Sequence, residues 1–317
     1  MAVLFPAFAT WPGGTGLAVE LMASTRIVGM RCPGLNSIYS EFKLRRRAMP
    51  VAATRMAYHI AKVDPRFHKV RIAVTGAVLE GTLEAFFRAP PVSQRGLVDV
   101  RACTAVGCTQ WQRALVVGGS RGLGELVAKM LLAGGAEVTL TYARGRDDAA
   151  RIVAEATSDG AACAMLPLDA GEPLAPALAE QLAGGRYTHL YYFATPAIAK
   201  SGAPWNQALF ERYTRIYVAG LAQVARAAAA AASSGAGPLH VFYPSTVFLD
   251  HAEKGFAEYC CAKAAGEALC DHLALEPARF VVQRPRLPRV QTDQNSSLLG
   301  TEADDPLPVM ADRKSVV

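Results

Sequence analysis

The chain has 317 residues, of which 51% are hydrophobic and 19% charged, so it can bury a sizeable core and is not a disordered protein. Its net charge is +6, but the basic residues are scattered, and the densest run, Lys43 to Arg47, is too short to indicate nucleic-acid binding. Seven cysteines without paired CxxC motifs predict reduced thiols and no metal site. No apolar run reaches the length of a membrane span, so we expect a cytoplasmic protein that binds neither nucleic acid nor membrane.

The first third of the chain predicts a helix followed by antiparallel strands. Residues 17–30 carry apolar side chains at helical spacing, and Pro33-Gly34 ends that helix. Strand-like runs follow at 37–44, 56–63, 70–74 and 81–87. This order of elements is an α+β pattern.

After residue 112, short apolar strands alternate with helices. The predicted strands are 114–117, 138–142, 162–168, 189–193, 239–243 and 279–283. The predicted helices are 123–133, 147–158, 213–232 and 258–275. This alternation predicts an α/β fold with a Rossmann-type, doubly wound parallel sheet. The polar, proline-containing stretch from Gln291 predicts a loop or frayed tail.

A glycine-rich turn joins the first of these strands to its helix, with glycines at positions 118, 122 and 124. Glycines let the backbone approach a pyrophosphate closely, and the helix N-terminus adds free N–H groups and a positive dipole. A tight turn without a ligand is the alternative, but the position between an apolar strand and an amphipathic helix favours a nucleotide site. The candidate cofactor-binding residues of this turn are Gly118, Ser120, Arg121, Gly122, Leu123 and Gly124.

The charge near this turn indicates which nicotinamide cofactor binds. An NAD site uses an acidic residue after the second strand, but here that strand runs into Thr141 to Arg146 without one. Arg121 and Arg144 could instead make charge-assisted hydrogen bonds to a 2′-phosphate, which favours NADPH over NADH. The alternative is that Arg144 and Arg146 are solvated loop charges.

Three residues near the fifth strand and the last helix are candidate catalytic residues. Tyr259 and Lys263 are four positions apart, so a helix places them on one face. A phenol is a poor acid–base group at neutral pH, and a nearby ammonium lowers its pKa. Ser245 lies fourteen positions before Tyr259, just after the fifth strand.

The ordered set of glycine turn, Ser and Tyr-x-x-x-Lys resembles the short-chain dehydrogenase/reductase family over residues 112–295. The family's Thr-Gly-x-x-x-Gly-x-Gly matches Val117 to Gly124, with Val in place of Thr. The resemblance implies that Ser245 binds the substrate carbonyl, Tyr259 protonates the alkoxide, and Lys263 lowers the pKa of the Tyr and holds the nicotinamide ribose. It also implies cofactor contacts from Asp169, Ala194 and Thr292, with Asp169 at the adenine and Thr292 near the nicotinamide carboxamide.

The sequence departs from this family at two places. The family's Asn-Asn-Ala-Gly appears as Phe193 to Pro196, and its fourth catalytic residue, an Asn, is replaced by Tyr217. In the family that Asn helps to hold a water in the proton relay. The substitution leaves open a non-catalytic nucleotide-binding or scaffold protein.

Residues 17–95 resemble the latter part of a MaoC-like, R-specific hot-dog hydratase, through stretches 28–40 and 81–88. That family's catalytic Asp and His precede the central helix, but neither residue occurs before Gly14, so we expect a truncated, inactive segment. His59 and His68 fall in strand-like runs and predict structural or exposed positions. The expected domains are 1–96 (partial hot-dog segment), 97–111 (linker), 112–295 (NADP-binding domain) and 296–317 (tail).

These resemblances imply an NADPH-dependent reductase of a 3-oxoacyl thioester, carried by CoA or acyl carrier protein, in fatty acid or polyketide metabolism. Hydration and 3-oxo reduction are adjacent steps of acyl metabolism, so the hydratase-like segment suggests the thioester. An enoyl-thioester hydratase is the second reading. A homo-oligomer is expected by the same resemblance.

Overall fold

A computed structural model of the chain describes residues 14–87, 94–198, 200–202, 204–230, 237–290 and 303–311. Contacts divide these residues into two units, with 14–87 in unit 1, and 94–290 and 303–311 in unit 2. Each of the seven cysteines is a free thiol. Within the described ranges, no helix is both long and apolar enough to cross a membrane.

Unit 1 is one helix followed by a four-stranded antiparallel sheet. Its elements are α1 (Gly14–Met30), β1 (Ser37–Arg46), β2 (Ala57–Asp64), β3 (Lys69–Thr75) and β4 (Leu79–Phe87), with strand order β1-β4-β3-β2. Alternate residues of β3 are buried together with Ile27 and Val28 of α1, which covers one face of the sheet. The α+β order that the sequence predicts is therefore present, and His59 is exposed as expected.

Unit 2 contains a six-stranded parallel sheet flanked by helices, as the alternating pattern predicts. The strands of the sheet are β5 (Arg113–Val117), β6 (Glu137–Tyr142), β7 (Cys163–Pro167), β8 (His189–Tyr192), β9 (Leu239–Phe242) and β11 (Phe280–Gln283). The helices that flank it are α3 (Gly122–Ala133), α4 (Arg146–Ser158), α5 (Pro176–Gly184), α6 (Gln207–Thr214), α7 (Leu221–Ala228) and α8 (Ala257–Ala274). A two-residue strand β10 (Ser245–Thr246) pairs separately with β12 (Arg286–Leu287).

The sheet order is β11-β9-β8-β5-β6-β7. The chain adds β6 and β7 on one side of β5 and then β8, β9 and β11 on its other side, so the order of strand addition reverses between β5 and β8. Ligands of such sheets bind beyond the carboxyl ends of the strands at this switch point. The side chains of β5 alternate between the two faces, with Ala114 and Val116 in one core cluster and Leu115 and Val117 in the other. Burial on both faces explains why β5 reads as a continuous apolar run.

The long helix predicted at 213–232 is interrupted in the structure. Residues 207–228 form α6, a π-helical turn at Arg215–Gly220, and α7. The Tyr192 hydroxyl donates a hydrogen bond to the Ile216 carbonyl of this turn at 2.6 Å. The turn spans only six residues inside a longer helical pattern, so the sequence does not reveal it.

Two segments expected to be irregular contain short helices that pack into the core of unit 2. Residues 97–111, expected as a linker, include α2 (Leu97–Arg101), whose Leu97 and Val100 are buried. The expected tail includes α9 (Pro306–Ala311), which buries Leu307 and Met310. Both helices are too short to be stable alone and depend on tertiary packing, so their periodicity is a weak signal.

Candidate active site

The glycine turn after β5 lies against the end of β8. Gly118 has φ +76°, and a Cβ at this position would lie 2.8 Å from the backbone nitrogen of Ala194. A side chain would therefore meet both backbone strain and a collision. The amide of Gly118 donates to Thr141 Oγ1 at 3.1 Å, which ties the same turn to β6. The structure thus brings Gly118 and Ala194 together at the switch point.

The remainder of the turn leads into the N-terminus of α3. Gly122, Leu123 and Gly124 are the first three residues of this helix, and Arg121 before it is extended and makes no side-chain cap hydrogen bond. Amides in a first helical turn lack intrahelical partners and attract anions. A Cβ on Gly145 would lie 3.0 Å from Ser120 Oγ, so the turn after β6 lies against the glycine turn.

The remaining candidate cofactor residues follow neighbouring strands. Arg144 is exposed after β6, and no ion pair to it occurs among the described residues. Arg121 Nε lies 3.6 Å from Asp148 Oδ2, and both side chains are partly exposed. Asp169 follows β7, where its carboxylate accepts a hydrogen bond from Gly171 N at 2.9 Å. Thr292 lies outside the described residues.

Tyr259 lies in the first turn of α8 and is buried in an aromatic cluster. The rings around it belong to Tyr213, Tyr217, Phe248 and Phe256. Burial raises the pKa of Tyr259, and a hydrogen bond with the Thr246 side chain opposes this only in part. The i,i+4 spacing predicts that the neighbouring ammonium lowers the pKa of Tyr259. In the structure desolvation outweighs other effects, and the phenol is protonated at neutral pH.

Lys263, one turn further along α8, is fully buried. Its ammonium donates a hydrogen bond to the carbonyl of Pro244 at 2.7 Å. The same nitrogen lies 4.2 Å from the ring centroid of Tyr217 and 4.6 Å from that of Tyr243. Desolvation lowers the pKa of Lys263 to about 7, although Cys270 and Glu267 on the same helix act in the opposite direction.

The two hydroxyls of β10 face different partners. Thr246 Oγ1 accepts a hydrogen bond from the Phe248 amide at 3.2 Å, and the Thr246 side chain lowers the pKa of Tyr259. Ser245 Oγ is buried without a hydrogen bond of normal geometry to any described residue, and the group it faces is the carboxylate of Glu267, whose pKa it helps to lower. The structure therefore brings Thr246, and not Ser245, to Tyr259. Neighbouring residues of an extended segment point to opposite faces, and this rule shows that only one of the two can face Tyr259.

Glu267 holds the segment that carries β12, and no motif in the sequence points to this role. Its carboxylate accepts hydrogen bonds from Arg286 Nε at 2.9 Å and Nη2 at 2.8 Å, and from Arg284 Nη1 at 3.1 Å. These charge-assisted bonds lower the pKa of Glu267. They connect α8 to the segment after β11, whose Arg286 pairs with Ser245.

Tyr217, which stands where the family resemblance places Asn, lies in the π-helical turn and is fully buried. Its hydroxyl and Thr195 Oγ1 share a hydrogen bond of 2.6 Å, which links the helix to the end of β8. Burial raises the pKa of Tyr217 well above its ordinary value. The residue therefore stays neutral and fills the space between Lys263 and Tyr259 with an aromatic ring.

The family model described as short chain dehydrogenase matches residues 112–284. A short-chain dehydrogenase from Burkholderia cenocepacia, solved with NADP, is 22% identical over 63% of this chain and 88% of its own, with TM-score 0.55. The angucycline C-6 ketoreductase LanV with bound NADP is 20% identical over 66% and 89%, with TM-score 0.54. The E. coli oxidoreductase yciK is 18% identical over 62% and 85%, with TM-score 0.56. No curated protein matches the chain.

Proposed function

The chain belongs to the short-chain dehydrogenase family and is therefore an oxidoreductase, and from this premise we propose that it reduces a substrate carbonyl with NADPH. The observation that carries the proposal is the position of the Thr246 side chain on β10 beside the phenol of Tyr259 on α8, whose pKa it lowers. β10 follows the carboxyl end of β9 and the glycine turn follows that of β5, and both strands belong to the same parallel sheet.

The glycine turn fits a dinucleotide phosphate. Gly118 leaves the space that a Cβ would occupy, and the N-terminus of α3, which no side chain of its N-cap residue caps, follows it. Arg121 and Arg144 supply positive charge where a 2′-phosphate would lie, which supports NADPH over NADH. The bound NADP in two of the similar structures supports the same choice. In the proposed reaction NADPH would supply the hydride.

Tyr259 is the proposed proton donor to the developing alkoxide. Its raised pKa keeps the phenol protonated at neutral pH, which is the state that a reduction requires. Thr246 takes the role that the sequence assigned to Ser245, because its hydroxyl lies beside the phenol and can bind the same substrate oxygen. Lys263, one helical turn after Tyr259, would hold the nicotinamide ribose.

A 3-oxoacyl thioester on CoA or acyl carrier protein is the proposed substrate. Its support is the resemblance of unit 1 to a hot-dog hydratase, whose helix-on-antiparallel-sheet arrangement agrees with α1 and β1–β4. This is an argument from association between reaction steps, not from a substrate site. The free cysteines suit the reducing cytoplasm, where such metabolism takes place, and a homo-oligomer is proposed from the family.

The second candidate is a non-catalytic nucleotide-binding protein. Tyr259 is only 8% exposed, and the aromatic cluster around it includes Tyr217 in place of the family's Asn. Such a site could retain cofactor affinity without turnover.

One experiment separates the two candidates. NADPH and NADH are titrated against the protein, and NADPH oxidation is then followed with a carbonyl panel that includes acetoacetyl-CoA. The proposed reductase binds NADPH more tightly and oxidises it only with a substrate present. Tight NADPH binding without oxidation across the panel would favour the non-catalytic protein, and the absence of NADPH binding would contradict both.

A further inference from the structure

Among the described residues, the ammonium of Lys263 contacts two aromatic rings and one backbone carbonyl. The rings belong to Tyr217 and Tyr243, with centroids 4.2 and 4.6 Å from Nζ, and the carbonyl is that of Pro244 at 2.7 Å. Lys263 is 7% exposed. A buried ammonium with one hydrogen-bond acceptor would ordinarily be costly, so the ring faces must supply much of the remaining stabilisation.

The groups that face Lys263 come from three elements. Tyr217 comes from the π-helical turn, Tyr243 follows β9, and Glu267 and Cys270 lie further along α8. Glu267 is already engaged by Arg284 and Arg286, so its charge is shared with two guanidinium groups. Its attraction for the ammonium is correspondingly weakened, and this leaves the rings as the closest favourable partners after the Pro244 carbonyl.

The ring of Tyr217 is held in place from several sides. Its hydroxyl shares the 2.6 Å hydrogen bond with Thr195, and its ring stacks on Tyr213 at 5.8 Å with an interplanar angle of 9°. The ring of Tyr259 meets it edge-on at 5.9 Å and 76°. Tyr217 therefore contacts both members of the Tyr-x-x-x-Lys pair through its ring.

Gly266 permits the close approach of α8 to this arrangement. A Cβ at this position would lie 2.1 Å from the Tyr243 hydroxyl and 3.2 Å from the Tyr217 carbonyl oxygen. Any larger residue would push α8, and Lys263 with it, away from both tyrosines. The contact of the two rings with the ammonium thus depends on a glycine one turn after Lys263.

We propose that Tyr217 and Tyr243 form an aromatic cage that positions Lys263 and stabilises its charged form in a site closed to water. Tyr217 acts through Lys263 and is a positioning residue. The catalytic consequence rests on the proposed reductase function, but the cage itself is a property of the protein without turnover. The cage replaces a solvated polar environment with ring faces, whose negative quadrupole attracts the cation.

The first test is the pKa of Lys263 in the full-length protein, followed by NMR of carbon-labelled lysine and assigned with Lys263→Met. Tyr217→Leu keeps the site apolar but removes the ring face, so the pKa should fall by about one pH unit, which corresponds to about 1.4 kcal/mol of cation–π energy. Tyr217→Phe keeps the ring and should leave the pKa unchanged. Thr195→Val, which removes the hydroxyl bonded to Tyr217 and to the Pro196 carbonyl but keeps the ring of Tyr217, is the matched control.

A second substitution guards against loss of folding. Pentafluorophenylalanine at position 217 has nearly the shape of phenylalanine, but fluorine withdraws electrons and reverses the attraction of the ring face for a cation. Compared with Tyr217→Phe, it should lower the pKa of Lys263 at similar Tm. An unchanged pKa in both the leucine and the fluorinated variants would overturn the cage.

Kinetics then separate the cage from the proposed function. In an active reductase, Tyr217→Leu should shift the pH profile of kcat by about one pH unit and raise KM for NADPH, whereas a merely structural role would lower Tm without moving the profile. If the wild-type protein shows no turnover but Tyr217→Leu lowers the pKa of Lys263 as predicted, the proposed function is contradicted and the cage is supported. Turnover without that change would do the reverse.

Discussion

The ammonium of Lys263 lies 4.2 Å from the ring centroid of Tyr217, the residue that replaces an expected asparagine. An asparagine at this place would offer an amide to water, whereas a tyrosine ring excludes water and offers a negative π face. The substitution therefore changes the surroundings of the lysine without removing a favourable partner for its charge. This relationship gives the site a chemistry that its motif alone does not reveal.

Tyr259→Phe should abolish NADPH oxidation with a carbonyl substrate while leaving NADPH affinity and Tm nearly unchanged. The substitution removes the proton donor but keeps the ring that packs against Tyr213 and Tyr217. General acid catalysis contributes about 10²–10⁴-fold, so kcat should fall by at least about 10²-fold. Steady-state kinetics and fluorescence titration of NADPH measure the two effects. A variant with full activity would remove Tyr259 from the mechanism.

Thr246→Val and Ser245→Ala test which hydroxyl of β10 serves the reaction. Thr246→Val keeps the shape of the side chain but removes the hydroxyl beside Tyr259, so kcat should fall by about 10²-fold or more. Ser245→Ala removes a hydroxyl that faces Glu267 instead of Tyr259 and should leave kcat nearly unchanged. The opposite ranking of the two variants would return the catalytic role to Ser245.

Arg144→Ala should weaken NADPH binding by about tenfold without altering the affinity for NADH. This figure is the lower end of what a charge-assisted hydrogen bond contributes, because the side chain is exposed. Arg146, exposed in the same turn, provides the control Arg146→Ala, which should change neither affinity. Titration of both cofactors against each variant measures the ratio. Equal losses of affinity for NADPH and NADH would show that Arg144 does not bind the 2′-phosphate.

Acid should destabilise unit 2 through His189. Burial, with a smaller contribution from His240, lowers the pKa of His189 to about 4, and the two rings stack at 4.7 Å. The unfolded chain therefore takes up a proton near pH 6.5, before the folded protein does, so stability is fully present above that pH and falls progressively towards pH 4. His189→Phe keeps the stack but cannot titrate.

Thermal unfolding between pH 5 and 7.5 measures this effect. Tm of the wild type should fall more between these values than Tm of His189→Phe. The variant His251→Phe, at an exposed histidine, is the comparison and should behave as the wild type does. An identical pH dependence in His189→Phe would show that other groups control the acid sensitivity.

Some features of the site follow from spacing over a few residues. The glycine turn was predicted because it interrupts a strand and opens a helix, and the structure places it at the end of β5. The pair of Tyr259 and Lys263 was predicted because four positions make about one helical turn, and α8 contains both residues. The parallel sheet likewise follows from alternating short apolar runs and helical periods, since each period reflects local backbone geometry.

Other features depended on which residues meet across the fold. Periodicity did not reveal α2 or α9, because each is a short helix that forms only where the core buries it. The family resemblance places the substrate hydroxyl at Ser245, but spacing alone does not say which of two adjacent side chains faces α8, and in the structure that side chain is Thr246.

The sequence by itself therefore determined the order of elements, the glycine turn and the Tyr259–Lys263 pair, because short-range backbone geometry repeats with a fixed period. Only the tertiary structure decided that Thr246 faces Tyr259 and that Tyr217 and Tyr243 enclose Lys263. These partners are brought together from the end of β9, the π-helical turn and α8 by packing, and the pKa of a buried ammonium depends on those distant neighbours rather than on its own helix.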